Sequence, residues 1–449
     1  MSRVIKIKKG LDIKLKGKAE KVIAQVDMPE LVSIRLSDFE GITPKLLVKT
    51  DDKVKAGTPL FYDKFVPEVV FTSPVSGTVI AINRGERRKL LDVVIKPDQE
   101  QQFEAFTSGV PSSMSRQEIK ENLTKSGVWP LIRQRPFHVI ANPADTPKAI
   151  FVTAFDSAPL APDYNFMVEG QEQTFQQGID ALTKLTDGRV YLNITAQGAS
   201  EVFKNTKGVE INEFSGLHPA GNVGVQINHI QPINKGDLVW TLQAPDVLTI
   251  GRLFEKGVFD ASRIIAFTGS EVLKPKYFRT FIGSSVKKMA LNNVVEGPKR
   301  CISGNVLTGT RIDGDACLGF YDYQVTVIPE DTEPEMLGWG TPGLDKYSVS
   351  RSFFSWLNPE KEWRLNSKLN GGHRPFVVTG QYDRVVPMDI LPQQLIKAII
   401  IEDIDLMEQL GIYEIAEEDL ALCEFVCTSK TEVQKIVRKG LTMVRKEFS

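Results

Sequence analysis

The sequence predicts a multidomain α+β protein, and three observations carry that expectation. Its 449 residues exceed what one hydrophobic core ordinarily spans, so roughly two to four domains are expected. Short alternating strands broken by glycine and proline turns run to about residue 97, strands alternating with helices follow to about residue 260, and helical periodicity fills the last hundred residues. The expected boundaries are 1–105, 106–260, 261–330 and 331–449.

Hydrophobic residues at 42% and charged residues at 25% are ordinary for a folded protein. A formal net charge of -1 gives no overall electrostatic grip on nucleic acid, and none is expected as a partner. The opening MSRVIKIKKGLDIKLKGK is neither a signal peptide nor an anchor, because basic residues interrupt it throughout. No stretch reaches the roughly 18 consecutive apolar residues that cross a bilayer; IKAIII runs straight into Glu402 and Asp403. A cytoplasmic chain with peripheral membrane association at most is therefore expected. Four cysteines in a chain this long do not make a disulfide framework, so reduced thiols are expected.

In VIKIKKGLDIKLKG, Ile5, Ile7, Ile13 and Leu15 share one side and lysines the other, which reads as strand with a solvated face. LLVKTDDKVKAGTPLFYDKF and VVFTSPVSGTVIAINRG continue the all-β pattern. The turn VKAGTPL, the hairpin and SPVSGTVIAI resemble the barrel-sandwich fold of biotinyl and lipoyl domains. That resemblance makes Lys64 a candidate attachment lysine. The spacer from Lys64 to Ser73 is too long for the lipoyl pattern and no AMKM is present, so the fold is expected without the carrier function.

SRQEIKENLTKSG reads as a helix, PKAIFVTAF as a buried strand, and EGQEQTFQQGIDALTKLTDG as a helix with Phe175, Ile179 and Leu182 on one face. GRVYLNITA and, after a short helix, VEINEF supply further strands. The alternation predicts a Rossmann-like, doubly wound parallel sheet. From RIIAFTGSEV to GTRIDGDACLGFYDYQVTVIPE a small β-grasp-like module of the SLBB type is expected. DILPQQLIKAIIIEDIDLMEQLG, IAEEDLALCEFVC and SKTEVQKIVRKGLTMVRKEF predict a helical C-terminal domain. Ser429 and Glu432 carry a capping signature, with Val433, Ile436, Val437 and Leu441 on one face beyond it.

Several chemistries are missing. His138, His218, His229 and His373 stand in no metal-binding spacing. There is no phosphate loop, no nucleophile elbow and no G-x-G-x-x-G at a strand-to-helix junction. HPAGNVGVQI, the nearest glycine-rich stretch, reads as a structural turn leading into a strand-like run. Neither a catalytic residue nor a metal ligand is assigned. In LALCEFVC, Cys423 and Cys427 fit the last two positions of a bacterial ferredoxin run, whose first two then fall on Glu417 and Leu420. Half the ligands are absent, and Leu420, Cys423 and Cys427 at helical spacing read instead as core.

KIKKGLDI, FTSPVSGTVIAINRGERR, SGVWPLIRQRPF, AIFVTAFDSAPLAPD, FSGLHPAGNVG, ISGNVLTG, YDRVVPMDILP and EEDLALCEFVC extend almost from end to end. With these stretches the chain resembles the A-subunit family of bacterial sodium-translocating NADH:quinone oxidoreductases. That family is similar in turn to the C subunit of Rnf complexes and to the flavin- and NADH-binding subunit of complex I. Where those relatives have a glycine-rich loop, this chain has Trp129, Pro130 and Leu131; where they have an acidic flavin-contacting segment, it keeps Asp156 but has Ala158 before Pro159.

The resemblance implies a cofactor-free scaffold subunit, with flavins, iron–sulfur centres and quinone in the rest of the complex. It also implies docking on the membrane-embedded B subunit, at the cytoplasmic side of the bacterial inner membrane, and support of quinone reaction or access. His218 and Asn222 are candidate quinone contacts. Arg351, Phe353, Phe354 and Trp356, in KYSVSRSFFSWLNPEKEW, are candidate partner contacts. The alternative is a dehydrogenase that keeps its own flavin or NADH site in the α/β domain.

Overall fold

The computed structural model describes residues 3–313, 316–331, 340 and 342–447, so part of the expected linker after residue 330 lies outside the described residues. The centre is a seven-stranded sheet. Its spatial order is Arg3–Ile7, Glu210–Gly216, Arg189–Thr195, Ala149–Thr153, Val239–Gln243, Arg133–Arg135 and Val139–Ile140. The first five run parallel, Arg133–Arg135 pairs antiparallel with the fifth, and Val139–Ile140 pairs antiparallel with Arg133–Arg135. A βαβ crossover buries both faces of such a sheet, which is why Ala149–Thr153 is apolar at consecutive positions.

The period of two then sorts its residues. Ile150 and Val152 face one core with Ile119, Phe175, Ile179 and Leu182, from the helices Arg116–Ser126 and Glu172–Leu185. Phe151 faces a second core with Leu395, Ile399, Cys423 and Val437, all from the C-terminal helices. The helical region therefore supplies the second layer of the α/β sandwich. Arg116–Ser126 starts with the capping box of Ser115 and Glu118 and stops at Gly127, whose φ of 78° is left-handed.

Two antiparallel sheets form the N-terminal module, one of Val32–Arg35, Leu90–Pro97, Gly77–Arg84 and Lys53–Val54, the other of Pro44–Leu46, Pro59–Asp63 and Val70–Thr72. Phe61 and Phe71, opposite each other on adjacent strands of the second sheet, stack at 4.6 Å and are buried in the core. A six-stranded mixed sheet holds Thr310–Ile312, Lys299–Ser303, Gln324–Pro329, Ser262–Thr268, Lys276–Phe281 and Glu20–Gln25.

Three details differ from the sequence reading. The first strands leave the N-terminal module: Arg3–Ile7 completes the edge of the central sheet, where Ile5 and Ile7 are buried, and Glu20–Gln25 completes the edge of the six-stranded one. Each satisfies backbone groups that an open edge would expose. HPAGNVGVQI leads into the helix Val223–Ile230, because Val225 and Ile227 bury on the second face of the sheet while the chain crosses over to Val239–Gln243. Ser429 does not cap the final helix, Val433–Glu447; its hydroxyl donates to Pro375 O at 2.9 Å.

One ion cluster fastens the helical region to the sheet. Arg135 is fully buried and donates through Nη1 to Asp419 and through Nη2 to Glu418, each at 2.6 Å. Replacing Arg135 with Met leaves two carboxylates facing a buried site without a counter-charge, a loss of about 3–5 kcal/mol. Denaturant unfolding should show it as a lowered first midpoint, together with faster proteolysis of the C-terminal helices.

Candidate functional site

A cavity of about 440 Å³ opens at the C-terminal ends of Ala149–Thr153 and Val239–Gln243. From Ala149–Thr153 the next strand in sequence lies on one side and Val239–Gln243 on the other, so the site is the switch point of the sheet, where α/β proteins bind ligands. All four expected regions contribute to its wall: Arg35 and Asp38, Asp156 and His218, Tyr321 and Tyr323, and Glu417 and Glu418.

The wall is polar and internally bonded. Tyr323 donates to Asp246 at 2.6 Å and Tyr164 to Gln243 at 2.8 Å. The Arg133 guanidinium lies 4.5 Å from the centre of the Tyr321 ring. Phe137 and His138 hold φ of 78° and 53°, which costs non-glycine residues roughly 1 kcal/mol each. Arg438 fastens that turn by donating to Phe137 O at 3.0 Å and to both oxygens of Glu417. Burial alone would raise Glu417, but His138 and Arg438 hold its carboxyl well below the usual range. Burial, with Arg133 nearby, lowers His138 to about 4.

Of the sequence candidates, His218 and Asn222 come together in this cavity. Burial lowers His218 to about 4, so the ring is neutral at pH 7, and its Nδ1 lies 3.0 Å from Ser157 Oγ. Asn222 donates through Nδ2 to Glu418 O at 2.9 Å. Asp156, noted in the sequence as a remnant of an acidic segment, stands in the wall with a pKa raised to about 6. Burial is the main cause, Glu418 adds to it, and the Ala158 N–H opposes it at 2.8 Å. Tyr164, Asp246 and Tyr323 carried no linear signal, because each reaches the site from a separate element, and neither did Ser157, which meets the site through His218.

The stretch that the resemblance sets against a glycine-rich phosphate loop is bulky and packed. Trp129 and Leu131 are buried, and Trp129 donates through Nε1 to Ala141 O at 2.7 Å. The helix Val223–Ile230 has its N-terminus at the cavity, but the Asp419 carboxylate stands against its first turn. A Cβ on Gly224 would lie 2.3 Å from Asp419 Oδ2. The chain's own carboxylate thus takes the position where a helix dipole favours an anion.

The four cluster positions do not fit an iron–sulfur centre either. Leu420 and Cys423 are buried in the helical core, and burial raises the Cys423 thiol. Both oxygens of Glu417 are taken by Arg438, and Cys427 accepts from Thr431 N at 3.4 Å. Leu420 has no donor atom, so the set lacks the thiolates such a centre needs. Among the described residues no group of three or more His, Cys, Asp or Glu is arranged to hold a metal ion.

The aromatic candidates lie elsewhere. Phe354 and Trp356 sit on a short 3₁₀ turn, Phe354–Leu357, at 57% and 48% exposure. Arg351 covers the Trp356 ring at 5.7 Å, and Phe353 lies half-buried against Gly343. None of the four lines the cavity.

The raised Asp156 gives a signed pH dependence. Its carboxyl ionises at a lower pH in the unfolded chain, so it destabilises the fold progressively as pH rises from about 3.8 through about 6. His138 and His218, both lowered, act in the opposite sense, losing stability as pH falls from about 6.5 towards 4. Asp156→Asn should therefore stabilise the chain relative to wild type by on the order of 1 kcal/mol more at pH 7.5 than at pH 5. Paired thermal melts at the two pH values measure the difference.

Three protein-family models match the chain: the NqrA N-terminal barrel-sandwich hybrid domain over residues 5–98, the NqrA second alpha/beta domain over 114–259, and the NQRA C-terminal domain over 264–314. Among curated proteins it is 39% identical over 447 residues to the A subunit of a Na(+)-translocating NADH-quinone reductase from Yersinia pestis bv. Antiqua (strain Angola). It is 40% identical over 449 residues to the corresponding protein from Neisseria meningitidis serogroup B. Both alignments cover 99% of this chain and 100% of the relative. The corresponding protein from Photorhabdus laumondii is 38% identical over the same shares. With a barrel-sandwich module, a doubly wound sheet and a β-grasp-like module in the order of those domain models, the chain belongs to the A-subunit family of Na(+)-translocating NADH-quinone reductases.

Proposed function

We propose that this chain is the peripheral subunit of a respiratory sodium-pumping NADH:quinone oxidoreductase. It docks on the membrane-embedded B subunit at the cytoplasmic face of the bacterial inner membrane and supports quinone reaction or access. The observation that carries this reading is the match across 99% of the chain to proteins that bear that enzyme's name. The name implies a multi-subunit enzyme, in which electrons from NADH reach quinone through cofactors held by other subunits. No helix among the described residues is long and apolar enough to cross a membrane, which fits a peripheral place.

The cavity at the switch point is the natural place for a quinone ring. His218 and Asn222 stand there with aromatic neighbours such as Tyr164 and Tyr321. The exposed Phe354 and Trp356, with Leu357 at 64% exposure, form a separate surface suited to the membrane-embedded partner or the bilayer interface. The competing reading, a dehydrogenase with its own flavin or NADH site, is favoured by the doubly wound sheet. Trp129 and the Asp419 carboxylate oppose it, because both fill space that a phosphate would need.

A complex reassembled without this chain should lose quinone reduction or change its inhibitor sensitivity; an unchanged rate and sensitivity would defeat the reading. Phe354→Ser combined with Trp356→Ser should release the chain from membranes while its circular dichroism stays that of the folded protein. Loss of folding in that variant would show that the rings serve the helical core instead.

A further inference from the structure

Ser157 is fixed from two sides. Gly221 N donates to its Oγ at 2.8 Å, and the Oγ lies 3.0 Å from His218 Nδ1. The approach depends on glycine, since a Cβ at position 221 would lie 2.5 Å from Ser157 N and 2.9 Å from the hydroxyl itself. The hydroxyl could accept twice, from Gly221 N and from a protonated Nδ1, but its own proton has a single acceptor among the described residues, His218 Nδ1, and donation there is the arrangement that uses it. A neutral imidazole whose Nδ1 accepts carries its proton on Nε2. The ring lines the cavity and is only 4% exposed, so Nε2–H is the group it has left to offer there.

We propose that Ser157 is a positioning residue that locks His218 as a neutral Nε2–H donor facing the cavity, for the carbonyl oxygen of an uncharged ring ligand. The ligand class follows from the wall. Seven carboxylates stand in it (Asp38, Glu40, Asp156, Asp246, Asp322, Glu417 and Glu418) against three guanidiniums, which disfavours an anion such as a nucleotide phosphate. A neutral donor retains its hydrogen bond to a carbonyl without introducing a charge into that wall. The lowered basicity of His218 keeps it in that form at pH 7. The tautomer rests on the two hydrogen-bond distances, the neutral form on the burial of the ring, and the choice of ligand on the quinone reading above.

The test is nitrogen-15 NMR of the histidine rings in the full chain at pH 7. His218 should be assigned by comparison with His218→Gln, and the spectra followed with and without a water-soluble uncharged benzoquinone. In the wild type, Nδ1 should appear as an unprotonated, pyridine-type nitrogen and Nε2 as a protonated, pyrrole-type one; the reverse pattern, or a doubly protonated ring, overturns the lock. Ser157→Ala should give a mixture of tautomers and weaken benzoquinone binding roughly 2- to 12-fold, the loss of one neutral hydrogen bond. Ser157→Thr, which keeps the hydroxyl, should restore both. A locked ring that benzoquinone leaves unshifted overturns the ligand assignment and the quinone reading together, while leaving the tautomer lock standing. A benzoquinone-sensitive ring with mixed tautomers in the wild type overturns the lock and leaves the quinone reading intact.

Discussion

The rest of the structure depends on the guanidinium of Arg135, a charge with no exposure to water. Such a group is tolerated only where carboxylates meet it, and here they come from Glu418 and Asp419, almost three hundred residues further along the chain. Closing that gap brings the C-terminal helices against the second face of the sheet. Phe151 and Phe214 then share a core with Leu395 and Val437, and the layer that completes the sandwich is also the layer that closes the cavity.

The same contact decides what the switch point can hold. Once Asp419 is drawn to Arg135, its carboxylate stands against Gly224 at the N-terminus of Val223–Ile230 and takes the ground an external anion would occupy. Glu417 and Glu418 follow into the wall, Arg438 bonds Glu417, and the left-handed turn at Phe137 and His138 is fastened from outside. The cavity is thereby rich in carboxylates and hydroxyls with defined partners, a setting suited to neutral polar groups.

The half cluster motif has a packing account. The expected single helix is interrupted: Leu420 closes a 3₁₀ turn, Cys423 lies in the helix Ala421–Val426, and Cys427 follows it in extended backbone, yet all three are buried in one core with Tyr382 and Val437. Glu417 is kept at its place by Arg438. A thiol buried among apolar neighbours behaves as a small hydrophobe, so nothing in that packing requires the missing ligands.

Much of this protein was legible in the sequence because it rests on local period and local chemistry. The alternating strands of the N-terminal module, the double-sided apolar strand at Ala149–Thr153 and the amphipathic helix with Phe175, Ile179 and Leu182 follow from spacing alone. Trp129, in place of a loop glycine, and Leu420, in place of a cluster cysteine, were visible in the same way. Other features belong to the tertiary structure, because they depend on which distant segments meet. The departure of Arg3–Ile7 to another sheet, the helix after HPAGN, the loss of the Ser429 cap to Pro375 O and the pairing of Arg135 with Glu418 and Asp419 are each decided by burial and hydrogen bonding across the chain. So is the meeting of Ser157 with His218: a hydroxyl and an imidazole sixty-one residues apart carry no shared pattern until the sheet brings their loops to one edge.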